Sequence, residues 1–188
     1  MPRQPVHDLV IHPRDNDLVV GTHGRGIFIS DLSPLQEMTA ATLKADAHLF
    51  DVRPAIMWAG PGLSRASSSH NFEGPSRRPG ATLNYWLASA PSGDVRIRIY
   101  DGARLVHELA GTKHAGLNTV SWDLSRFVRE RTDAEKQAAR GARGGRGGAV
   151  HPTHITVPGM PGAYRVALVV NGRTIEKPVV VTAEAARK

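Results

Sequence analysis

Cysteine is absent from the chain, which excludes disulfides, thiolate metal sites and a cysteine nucleophile while leaving the compartment open. Aromatic residues make up only 5%, so a core built from these 188 residues is aliphatic. No run of 18 or more apolar residues occurs, and Met1-Pro2-Arg3-Gln4-Pro5 leads into the first apolar alternation without a hydrophobic signal core. The expectation is a soluble chain with no membrane contact and no visible address. Also missing are a Gly-x-x-x-x-Gly-Lys-[Ser/Thr] phosphate loop and a nucleophile elbow.

What is present is β texture. Val, Ile and Leu fall in short alternating runs, punctuated by 19 Gly and 13 Pro, within a hydrophobic content of 40%. The formal net charge is +7, but Arg126, Arg129, Arg131, Lys136, Arg140, Arg143 and Arg146 all lie in one stretch. That local excess reads as a solvated insertion rather than a polyanion site.

Val6 to Ile29 spells three short strands and two tight turns. Val6, Leu9 and Ile11 mark the first strand. Pro13 to Asp17 make a turn in which Asp15 and Asn16 tolerate left-handed backbone. Leu18 to Thr22 form the second strand, Gly21, Gly24 and Gly26 flank His23 and Arg25, and Ile27 to Ile29 supply the third. This is most of one β-propeller blade, whose faces are covered only by neighbouring blades, so it implies more propeller than the chain contains. Ser33 is the expected cap of a short connecting helix between Pro34 and Ala47, and residues 47 to 55 read as an extended strand that either closes the last blade or runs over the propeller surface.

Residues 56–80, rich in Gly, Pro, Ser and Arg, read as a linker. The alternation restarts at Ala81. Strands are expected at 81–87, 95–100, 105–109, 117–123, 162–170, 173–176 and 178–182, with Asp101-Gly102 and Asn171-Gly172 as turns. Seven short strands at this spacing describe an immunoglobulin-like β-sandwich over 81–184, with Trp122 and Tyr164 as buried anchors on facing strands. Residues 125–160 interrupt it as a Gly/Arg-rich disordered insertion. Within this stretch 132–139 is helix-prone, with Thr132 or Asp133 as cap, before it dissolves into Arg140 to Gly148.

On these residues the chain resembles the C-terminal part of bacterial sortilin-like (VPS10-type, BNR-repeat, glycosyl-hydrolase-like) propeller proteins. Pro5 to Ile27 resembles their last blade, and Trp122-Asp123-Leu124 with Pro158 to Val166 resembles their FlgD-like immunoglobulin-type domain. The resemblance implies a terminal blade over 1–55, a non-catalytic interaction or accessory module, and a parent protein that is periplasmic or extracellular. It implies as partners the remaining propeller blades and a protein or carbohydrate ligand. An alternative is a fragment of a propeller glycosyl hydrolase whose catalytic residues lie upstream. A second is RNA binding through the Arg143-Gly144-Gly145 and Arg146-Gly147-Gly148 units, although no Phe or Tyr interleaves them.

The candidate residues are few. Glycoside hydrolysis needs two facing carboxylates, and Asp8, Asp15, Asp17 and Asp31 are the only candidates in the blade, each better explained by a turn or strand start. His7, His12 and His23, and the pair His151 and His154, assemble no zinc set by spacing, so no metal and no cofactor are expected. The His23-Gly24-Arg25-Gly26 turn remains as the ligand contact, with His23 and Arg25 directed outward by its two glycines.

Overall fold

The computed structural model describes residues 5–24, 26–57, 80–141 and 153–184. The chain is predominantly β, with few helices. Strands β1 (Val6–Ile11), β2 (Asp17–Thr22) and β3 (Ile27–Asp31) form an antiparallel meander in the order β1-β2-β3. Asn16 closes its first turn with φ 52°, while the His12 amide donates to the Asp17 carbonyl and the Asn16 amide to the His12 carbonyl, each over 2.8 Å.

The connector is two helices rather than one: α1 (Ser33–Gln36) and α2 (Ala40–Lys44). Ser33 lies inside α1 instead of capping it. Its amide is taken up by Asp31 Oδ1 at 3.0 Å, and Leu32 stands at the cap position. Extended Thr39 (φ −94°, ψ 170°) interrupts the helix and caps the next turn, accepting from the Thr42 amide at 3.2 Å.

Strands within residues 47 to 57 pair with later strands rather than with the first sheet. Strand β4 (Ala47–Leu49) pairs with β6 (Ala81–Leu87), and β5 (Ala55–Met57) runs parallel to the end of β13 (Arg173–Ala183). The physical reason is apolar: Leu49, Phe50 and Ala55 are buried, and Leu49 and Ala55 belong to the later core. Most of the remaining linker, 58–79, lies outside the described residues.

Two sheets share that core. One has the order β4-β6-β9, with β9 spanning Gly116–Trp122. The other has the order β5-β13-β12-β7-β8, with β7 Arg96–Asp101, β8 Arg104–Ala110 and β12 Gly162–Val170. The period-two pattern decides which side chains meet. Leu83, Tyr85 and Leu87 of β6 face Ile97 and Ile99 of β7 and Val166, Leu168 and Val170 of β12, all fully or nearly buried. Arg96 and Arg98 point outward, where Glu108 meets them at 3.2 and 2.8 Å. Trp122 and Tyr164 sit where expected. Their rings meet edge-on at 5.3 Å, and Trp122 Nε1 donates to the Ser125 carbonyl at 2.8 Å.

Two further elements differ from the sequence expectation. The last strands are one, because β13 passes through Pro178 without a break in register from Val170↔Arg173 to Gly162↔Val181. The pairing with β5 begins only at Val181, so the edge that lacks an N–H at Pro178 has no strand beside it to receive one. The 125–160 insertion is ordered at its base. There β10 (Ser125–Glu130) pairs with β11 (His154–Pro158), and α3 (Asp133–Gly141) follows β10. Thr132 and Glu135 form a capping box: the Glu135 amide donates to Thr132 Oγ1 and the Thr132 amide to Glu135 Oε2. The arginine-glycine units at 143–148 lie outside the described residues.

Replacing Trp122 by Ala removes a side chain with no exposed surface and the hydrogen bond to Ser125. The expected cost is about 3–5 kcal/mol, read as a lower urea midpoint at unchanged m-value. Gly80→Ala should destabilise as well. Its φ is +122° and an added Cβ would lie 2.1 Å from the Trp122 carbonyl oxygen, so backbone must move.

Candidate functional site

The first sheet is the part of the molecule whose surface disagrees with its composition. Successive residues of a strand face opposite sides, yet Leu9, Val10 and Ile11 are 58, 54 and 53% exposed. Ile27 and Ile29 on β3 are 71 and 65% exposed. Register assembles these into two faces. Leu9 pairs with Val20 and Val20 with Phe28 on one side, and Val10 pairs with Val19 and Val19 with Ile29 on the other. Both faces therefore carry exposed aliphatic side chains, although Val20 at the centre of one is buried and Phe28 beside it is half-buried. A sheet that borders water on one side alternates apolar with polar residues. This one does not.

At one end of the sheet the chemistry changes. Asp17 and Asp31 are direct cross-strand partners, an arrangement that like charges make unfavourable. Arg53 resolves it. Its Nη1 lies 2.7 Å from Asp17 Oδ1 and 3.2 Å from Asp31 Oδ1, with side chains 28, 17 and 13% exposed. Burial on its own lowers the Arg53 pKa, but the hydrogen bond to Asp17 and the charges of Asp31 and Asp17 outweigh it, so the net displacement is upward. A second polar cluster lies beside it. Glu37, at the C-terminal cap of α1, accepts the Asp51 amide at 2.9 Å and places Oε1 at 3.1 Å from His48 Nε2 and 3.7 Å from Lys177 Nζ, while Lys177 also binds Asp51.

The acids considered for hydrolysis are thus accounted for in other ways. Asp8 Oδ1 accepts the Leu9 amide at 2.8 Å, and Asp15 is held by Arg14 at 2.9 Å in an exposed turn. Asp17 and Asp31 are brought together, but the guanidinium stands where a glycosidic oxygen would have to enter.

Of the expected ligand contact, His23 is exposed and stacks on His7, with ring centroids 5.0 Å apart and planes 24° from parallel. Near-parallel rings direct their nitrogen lone pairs along near-parallel planes rather than toward one ion. His12 does not join them: its ring accepts the Asp15 amide at 3.2 Å. Gly24 and Gly26 have φ of 76° and 98°, the left-handed geometry the turn requires. Arg25 lies outside the described residues. Among the described residues no three His, Asp or Glu side chains are placed to hold a metal ion, and no helix is long and apolar enough to cross a membrane.

Sequence reasoning missed two features. Arg53 gave no signal, because its partners are 36 and 22 positions away and only the fold makes them neighbours. The second is an aromatic stack joining the β10–β11 arm to β8: His107 lies 4.8 Å from Phe127, and Phe127 lies 3.9 Å from His154 with planes 9° apart. His107 is buried, with Nε2 4.0 Å from Asp123 Oδ1. The alternation of β8 reveals that position 107 faces inward, but not what it meets.

Comparison with protein-family models, with curated proteins and with solved structures found no match to this chain.

The base of α3 carries a pH dependence of known sign. The bidentate hydrogen bonds from Arg129, then the Thr132 amide, hold the Glu135 carboxyl well below the ordinary glutamate value, at about 2. A lowered folded pKa contributes order that is complete above the ordinary value and lost as pH falls toward 2. In an NMR titration the Glu135 carboxyl should therefore titrate near 2, and the amides of α3 should lose protection together with it. Titration near 4.5 would show that Arg129 and Thr132 do not hold Glu135 in solution.

Proposed function

We propose that this chain is a non-catalytic interaction and accessory module from the C-terminus of a sortilin-like propeller protein. Its first sheet is the last blade, lying between flanking blades, and its two-sheet unit is an immunoglobulin-like sandwich of the FlgD type. The observation that carries this reading is the pair of open aliphatic faces of β1–β3. A small antiparallel sheet gains stability by packing a hydrophobic face, and here Leu9, Val10, Ile11, Ile27 and Ile29 are exposed. Sheets stacked on both sides bury those residues, as in propeller blades.

The acids of the first sheet are engaged by backbone or by arginine, and the two-sheet core is filled by side chains. The module's partners are the remaining blades of the parent propeller, with a protein or carbohydrate ligand bound by the assembled protein.

Two measurements test this. The double variant L9K/I29K, with one substitution on each face, should lose most of the wild-type fluorescence with an apolar dye, with the unfolding midpoint of the two-sheet core unchanged. A wild-type dye signal no higher than that of an ordinary folded protein would overturn the docking role. The coding sequence upstream of Met1 should continue in frame with further strand-turn repeats, and a stop codon directly upstream would overturn the propeller reading.

A further inference from the structure

The two polar clusters beside the first sheet have a consequence that does not depend on what covers its faces. We infer that Arg53 is the positioning residue of a two-point joint, setting the angle of the three-stranded sheet against the two-sheet core, with the Glu37 cluster as its pivot.

Each point is anchored on the core side by burial. Arg53 lies between Phe50, which is 1% exposed, and Ala55, which is buried in β5, so its backbone moves with the core. Its guanidinium reaches out of the core to two carboxylates on separate strands of the first sheet, β2 and β3. Binding both strands at once resists rotation of the sheet about either strand axis. At the other point, Glu37, the residue that follows α1, holds the Asp51 amide, His48 and Lys177, all on core segments. The helix is in turn stapled to the sheet: the Leu32 amide donates to the Asn16 carbonyl at 3.1 Å, and Asn16 Nδ2 donates to Gln36 Oε1 at 2.7 Å.

Two separated points fix an angle, whereas one point permits rotation. The Arg53 point is the more buried, and an ion pair there is less screened than the Glu37 set or the exposed Asn16 to Gln36 bond. Its anchoring contacts are ion pairs and hydrogen bonds, so charge and hydrogen-bond direction contribute to its geometry. Withdrawing the guanidinium removes the ties from Arg53 to Asp17 and Asp31, which remain part-buried cross-strand neighbours of like charge.

The test uses the full chain, in which introduced cysteines are the only thiols. Spin labels at S30C on β3 and S121C on β9, both exposed positions, report the distance between the sheet and the core. The parent pair should give one narrow distance distribution, and R53M should broaden it several-fold while β1–β3 amide protection and the core unfolding midpoint are kept. A distribution in R53M as narrow as in the parent overturns the proposal. If R53M instead loses β1–β3 protection, the triple variant D17N/D31N/R53M decides, because it removes the repulsion without restoring the tie. Protected strands with a broad distribution support the positioning role. A narrow distribution, or strands still unprotected, overturns it.

Discussion

Period-two burial across two sheets is the constraint on which the larger part of the molecule rests. Leu83, Tyr85 and Leu87 have Val120, Leu49 and Ala47 as cross-strand partners in their own sheet, and β7 and β12 contribute Ile97, Ile99, Val166 and Leu168 to the same core across the gap. Trp122 and Tyr164 close one end of the core edge-on, and both polar tips are satisfied by nearby backbone: Ser125 for the indole and Met160 for the phenol. Once those faces are joined, the outward residues are left to solvent. That is why Arg96, Arg98 and Arg165 find carboxylates on neighbouring strands rather than partners in the interior.

The first sheet obeys the same strand geometry with the opposite outcome. Its apolar side chains alternate correctly, but both of its sides are apolar, so no single core within the described residues can take both. It is attached to the rest of the protein through its polar end and through α1, and this leaves both faces accessible. Attachment by charge at an end, with apolar faces free, is the arrangement a sheet needs if other sheets are to stack on it.

Local pattern made much of this legible. The three strands of the first sheet, the restart at Ala81, the Asn171-Gly172 turn, the burial of Trp122 and the Thr132 cap all follow from residue spacing and turn chemistry acting over fewer than ten positions. Less legible were features set by distant partners. Residues 47–57 read equally well as an end of the first unit, because an extended apolar segment does not state which sheet it joins. Pro178 reads as a break when the strand opposite its missing N–H is not known to begin three residues later. The insertion reads as disordered from its glycine content, although its two ends pair with each other. For the candidate site, the turn at His23 was visible, while the Asp17, Asp31 and Arg53 cluster was not.

The sequence by itself determined the β class, the strand faces and the tight turns, because backbone dihedral preferences and side-chain alternation are properties of neighbouring residues. Only the tertiary structure decided that β4 and β5 complete the later sheets, that Arg53 relieves a cross-strand pair of aspartates, and that the aliphatic faces of β1–β3 stay open. Each of those depends on which distant segment occupies the space beside a residue, and burial and charge compensation are set by that neighbour rather than by the residue alone.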